Sequence, residues 1–142
     1  MFSQSESKKL REEFWISFGK SFPRKWTLYD TKIKNLAFKF YFDKKITLVA
    51  LDIEHTDVAK QLELWEKLSG LQSILITDFL PDAIFDESYI LENQKEISRI
   101  YVKKENVSIH NKNTWQETMV FLNEKMIQFE EFFEDYKDII LT

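Results

Sequence analysis

The chain has no cysteine, two glycines, two prolines and two histidines in 142 residues. Each scarcity removes a class of chemistry. Without cysteine there is no thiolate nucleophile, no thiolate zinc site and no redox pair. Two histidines cannot build a three-histidine zinc centre, so carboxylates are the only plausible metal ligands. A dinucleotide fingerprint needs three glycines in one loop, which two glycines cannot supply. The longest apolar-leaning run, Ile46 to Leu51, stops at Asp52. That falls far short of the roughly 20 residues of a membrane span. The opening stretch MFSQSESKKLREE is polar, unlike a secretory leader. A cytoplasmic protein without membrane contact is expected. Hydrophobic residues make up 44% of the chain. That content and length suit one domain with a core that needs no disulfide or metal staple.

The net charge of −4 averages two unequal parts. Residues 1–45 hold 11 Lys/Arg and 5 Asp/Glu, while the rest holds 9 and 19. The first third is therefore at +6 and the remainder at −10. Such a split points to an anionic partner for the first third, or to a basic segment lying against its own acidic remainder or that of a second copy.

Hydrophobic spacing predicts the elements. Ser3 and Glu6 form a capping box for a helix from Ser5 to Phe18, with Gly19 and then Pro23 ending it. A strand is expected over Trp26 to Ile33. Residues 36–43 and 46–54 alternate and form a hairpin about Asp43-Lys44-Lys45. Thr56 caps a second helix carrying Val58, Leu62, Trp65 and Leu68, ended by Gly70. Leu71 to Leu80 fits a helix or a buried strand. Tyr89–Leu91 and Ile97–Val102 read as strands about Asn93-Gln94, and Val107–Ile109 as a further short strand. A second capping box, Thr114 with Glu117, opens the last helix. There Trp115, Met119, Leu122, Met126, Phe129, Phe133, Tyr136 and Ile140 form an unbroken heptad seam. The seam serves either as the core partner of the sheet or as a homodimer interface. The expected fold is α+β: an antiparallel sheet packed by a long C-terminal helix and two shorter helices.

Few motifs carry chemistry. Gly19-Lys20-Ser21 looks like the end of a phosphate-binding loop, but the first glycine of that motif would fall on Phe14, and the tripeptide closes a helix instead of opening one. Asp52 and Glu54 share one strand face and could hold a divalent metal with a third acid such as Asp30 or Asp43. An α-β-β-β-α-β order with acids on the third strand resembles the restriction-endonuclease-like core, although Glu54 stands where that family has lysine. The other reading of the pair is a polar strand end. Phe22-Pro23-Arg24-Lys25-Trp26, followed by Tyr29, Lys32 and Lys34, interleaves cations with rings. Arg24, Lys25, Trp26, Lys32 and Lys34 therefore form a candidate anion-binding set, with nucleic acid as the plausible partner. The alternative places Phe22 and Trp26 in the core and the cations in solvent. Asn111 to Trp115 is either a plain helix cap or an anion site. The two histidines, His55 and His110, read as polar surface, with a general base as the alternative for either. No cofactor is implied.

Four stretches carry a family resemblance: Arg11-Glu12-Glu13-Phe14-Trp15, Phe22-Pro23-Arg24-Lys25-Trp26, Leu80-Pro81-Asp82-Ala83-Ile84-Phe85, and Val107 through Trp115. They resemble a bacterial family known only as a domain of unknown function, found alone or attached to nuclease-type domains. The resemblance implies an accessory, non-catalytic role near DNA or defence systems and assigns no catalytic residues. The function expected is an intracellular interaction module. The alternatives are a metal-dependent nuclease-like enzyme using Asp52 and Glu54, and a structural homodimer through the last helix.

Overall fold

A computed structural model describes residues 2–141. The elements, in order, are α1 (Gln4–Ser21), β1 (Leu36–Phe42), β2 (Ile46–Ile53), α2 (Val58–Ser69), α3 (Gln72–Asp78), β3 (Ile84–Ile90), β4 (Glu96–Glu105), a 3-10 turn (Lys112–Thr114) and α4 (Trp115–Leu141). Every strand pair is antiparallel, in the spatial order β1-β2-β4-β3. The α+β expectation stands, with three helices in addition to the long last one. No helix among the described residues is long and apolar enough to cross a membrane.

The capping box at α1 forms as the sequence predicts: Glu6 N–H donates to Ser3 Oγ at 3.1 Å and Ser3 N–H to Glu6 Oε1 at 3.4 Å. Gly19 does not end this helix. The backbone stays helical through it, and the chain leaves at Phe22, because a residue before proline is biased away from helical geometry. The strand expected over Trp26 to Ile33 is absent. Leu28 and Lys32 take positive φ, as does Asn35 beyond them, which no continuous strand tolerates. Buried Thr31 fastens these turns, donating to Leu36 O at 2.8 Å and accepting from Ile33 N–H at 3.1 Å.

The first hairpin runs in register from Leu36 opposite Ile53 to Phe42 opposite Thr47. Its turn is held by Asp43, whose Oδ1 accepts from the N–H groups of Lys45 and Ile46 at 2.7 and 2.8 Å. Asp57, and not Thr56, caps α2, accepting from Ala59 and Lys60 N–H. Val58 and Leu62 face solvent; Trp65 and Leu68 are the buried positions. The ambiguous 71–80 stretch is helix α3, which buries Leu75. The second hairpin is longer than expected and carries a bulge between Asp86 and Tyr89. Residues 107–109 are not a strand. Val107 and Ile109 are nonetheless buried, and Ile109 N–H donates to Asp43 O at 2.9 Å, pinning the segment to the first hairpin turn.

Strand alternation divides the sheet into two faces. One face, with Leu36, Phe38, Val49, Leu51, Ile53, Ile100 and Val102, belongs to a single hydrophobic cluster that also holds every buried apolar residue of the helices. α4 crosses this face. Phe38 meets Phe129 and Phe133 edge-on at 5.7 and 5.6 Å between ring centroids. Of the seam residues, Trp115, Met119, Leu122, Met126, Phe129, Phe133 and Ile140 are buried, and Tyr136 is partly buried. The seam is covered by this chain's own sheet and helices, which is the core-partner reading of the two that the heptad left open. Thr114 does not form a box with Glu117 either. Its hydroxyl turns back to the 108–111 turn, accepting from Ser108 N–H at 3.0 Å and donating to Asn111 O at 2.7 Å.

Phe129→Ala removes a fully buried ring facing Phe38, and a loss of about 3–5 kcal/mol is expected in urea unfolding. Tyr29→Ala, on an exposed ring, is expected to change stability by no more than about 0.5 kcal/mol in the same assay.

Candidate functional site

The sheet face away from the helices carries Lys39, Tyr41, Asp52, Glu54 and Arg99. Asp52 lies on β2, while Glu54 lies one residue beyond its end at Ile53 and not on the strand as expected, and cations fill the space between them. Arg99 Nε and Nη2 grip Asp52 Oδ1 and Oδ2 at 2.7 and 2.9 Å. Lys39 Nζ sits 3.3 Å from Asp52 and 2.8 Å from Glu54, and Lys95 Nζ lies 3.0 Å from Glu54. The Tyr89 ring covers the guanidinium at 4.4 Å. Hydrogen bonding from Lys39 holds Glu54 below the usual carboxylate range, against burial. Burial opposes charge on Lys39, but Glu54 and Asp52 outweigh it and raise its pKa. Neither suggested third acid joins them: Asp30 pairs with Lys32 at 2.7 Å, and Asp43 holds the hairpin turn. No group of three or more potential metal-ligating side chains exists among the described residues. The metal-site expectation is therefore corrected. The pair is an ion-pair network that fastens β2 to β1 and β4.

The basic-aromatic segment is divided. Arg24 pairs with Glu130 at 3.3 Å and lies over the Trp26 ring at 5.2 Å. The same Glu130, buried on α4, accepts from Thr27 N–H at 2.7 Å. Trp26 packs against Phe18 and Phe40, so its ring belongs to the structure. Lys32 pairs with Asp30. Lys25 and Lys34 stay exposed without an ion pair among the described residues, although Asp30 acts on Lys25 at longer range. The expected set of five thus keeps two open cations.

A larger site lies elsewhere. An open groove of about 860 Å³ separates the first turns of α1 from the β1–β2 turn. On α1, Gln4, Ser7, Lys8 and Arg11 line it, the i, i+3, i+4, i+7 spacing that puts four residues on one helix face. Lys44 lies at the hairpin turn, and Asp43, Tyr41 and Glu92 form the sheet side. The Tyr41 hydroxyl lies 2.7 Å from Asp43 Oδ2 and 3.0 Å from Glu92 Oε1 and shares its one proton between them. Burial first, then these two carboxylates, raise the phenol pKa well above its usual range. Burial disfavours charge on Asp43, but the Ile46 and Lys45 amides and the Tyr41 hydroxyl outweigh it, and its pKa is lowered.

The 107–114 loop closes the groove. His110 Nε2 lies 2.7 Å from Ser7 Oγ, and its ring stacks on Phe2 at 4.4 Å. Lys112 adds a 2.8 Å pair to Glu13. The polar groups of Asn111–Thr114 satisfy one another within the turn, so this stretch acts as a cap. His55 is also structural, its Nδ1 accepting from Asp57 N–H at 3.0 Å. The sequence reading missed the groove because its walls come from four separated segments. The polar stripe on α1 was the available signal.

The fold and the groove define a two-layer α+β protein with an open, polar site on the rim of its helical layer. The chain belongs to the family described as Domain of unknown function (DUF4268), whose model matches residues 10–137. No curated protein and no solved structure shows significant similarity to it.

Asp52→Ala leaves the buried Arg99 guanidinium uncompensated, and a cost of about 3–5 kcal/mol in urea unfolding is expected. Glu54 is one of the carboxylates through which acid acts. Its folded pKa lies below the ordinary value of 4.5, so the unfolded chain binds the proton first. The stabilisation is full above that value and is lost as pH falls through the folded pKa. Glu54→Gln is therefore expected to flatten the fall of the urea midpoint below about pH 4.5.

Proposed function

We propose that residues 1–142 act as one domain, a non-catalytic interaction module of an intracellular bacterial protein, and that its partner is anionic, with nucleic acid as the class. One observation carries this reading. Of the eleven cations in the first 45 residues, only Arg24, Lys32 and Lys39 form ion pairs among the described residues. Lys8, Lys9, Arg11, Lys20, Lys25, Lys34, Lys44 and Lys45 form none with the described residues. Self-neutralisation by the acidic remainder thus accounts for Arg24 and Lys39 alone, since Lys32 pairs with Asp30 inside the first third. The basic character of that third stays on the surface, where phosphate groups can displace counterions. The binding set accordingly moves from residues 24–34 towards Lys8, Arg11 and Lys44, which meet at the groove.

Labelled single-stranded RNA and DNA, titrated by fluorescence anisotropy, test this. Binding at low salt is expected, weakening linearly on logarithmic axes as salt rises. Combining Lys8→Ala, Arg11→Ala and Lys44→Ala should reduce that slope by about 2, since each single-strand phosphate contact contributes about 0.7. Lys32→Ala, whose charge is already paired, should leave it nearly unchanged. An absence of binding to both strands at low salt overturns the reading.

A further inference from the structure

The groove between α1 and the first hairpin is chemically three-sided. Lys8 and Arg11 stand on its α1 wall with Lys44 at the turn. Asp43 and Glu92 stand on its sheet wall, joined through the Tyr41 hydroxyl. Phe2 borders it, stacked on His110 with the two rings inclined by 26°, and still 43% exposed.

Three cations against two carboxylates leave a formal charge of +1, so phosphate-binding groups here stand beside acceptors that a phosphate does not use. The carboxylates also have unused capacity. A carboxylate offers about four acceptor positions. Glu92 receives one hydrogen bond, at Oε1, and its Oε2 receives none among the described residues. Among the described residues, Asp43 Oδ2 accepts only from Tyr41. These oxygens suit hydroxyl donors, as acidic side chains do when they hold a ribose diol. Cations suit a phosphate, and an exposed ring suits a flat base. At about 860 Å³, the groove lies within the roughly 300–1,000 Å³ typical of small-ligand sites.

We propose that this groove binds a ribonucleotide unit, with its phosphate at Lys8 and Arg11, its ribose hydroxyls on Glu92 and Asp43, and its base against Phe2. The proposal deepens the nucleic-acid reading and rests on the same unpaired cations. The unit comes either from a free nucleotide or from a nucleotide within an RNA strand. Carboxylates repel phosphate while accepting from hydroxyls, so they favour ribose over deoxyribose.

The test compares adenosine 5′-monophosphate with its 2′-deoxy form by calorimetry, and an RNA oligonucleotide with the DNA of the same sequence by anisotropy. At least one ribo ligand should bind several-fold more tightly than its deoxy counterpart. Glu92→Ala should bring the two affinities together, and Phe2→Ala should weaken both. A wild-type urea midpoint in each variant shows that the fold is intact. Preference for the free ribonucleotide identifies it as the source, and preference for the RNA alone identifies a strand; both support the proposal. Free ribonucleotide binding without binding to either the RNA or the DNA strand supports the groove and removes the nucleic-acid reading. Equal affinity for ribo and deoxy ligands, or a preference that survives Glu92→Ala, overturns the groove proposal while leaving strand binding intact. No binding to any of the four ligands overturns both.

Discussion

The burial of the α4 seam against one face of the sheet is the constraint on which the rest depends. Phe38 in β1 contacts Phe129 and Phe133, rings one helical turn apart, so one strand position sets the placement of the long helix. α1 then fits beside it, with Phe14 against both Phe42 and Trp115. Apolar burial of this kind is non-directional, which is why aromatic geometry matters: edge-to-face rings select one register among many that would bury similar area.

With the helices on one face, the other face must be stabilised without a core partner. Small Ala50 and buried Leu48 and Ile97 lie there, outside the main hydrophobic cluster. Lys39, Arg99, Asp52 and Glu54 bind one another across three strands, and Tyr89 and Tyr101 pack ring to ring. Buried charge is tolerated because the guanidinium is held bidentately and the carboxylate has a second cation. The same requirement removes these acids from chemistry. A carboxylate already bridged by two cations has no reason to bind a third. Open polar capacity is left at the rim, where the α1 stripe, the first hairpin turn and the 107–114 loop meet around the groove.

The parts of the fold that were readable beforehand share one property: their signal is local. The α1 capping box, the 36–53 hairpin and the heptad of the last helix each follow from residues within a few positions of one another. The misreadings share the opposite property. Gly19 looked like a helix stop, but glycine only permits an ending, and Pro23 enforces it. Residues 26–33 had strand-forming composition, yet Thr31 and three residues at positive φ hold them as turns beside β1. Thr56 lost the cap to Asp57, a shift of one residue that composition alone does not settle. Arg24 looked available until Glu130, 106 residues away, was placed against it.

By itself, the sequence determined the class of the fold, the helical character of both ends and the basic surplus of the first third. It also excluded thiolate and glycine-loop chemistry outright. All of these depend on composition and on periods of two to seven residues. Only the tertiary structure decided which charges are open. Asp52, Glu54, Arg24 and Lys39 are neutralised by partners 13 to 106 residues distant, whereas Lys8, Arg11 and Lys44 are not. Ion pairing acts over a few ångströms, and distance along the chain says little about distance in space. The candidate site is therefore a property of how the strands and helices meet, which no single stretch of the sequence contains.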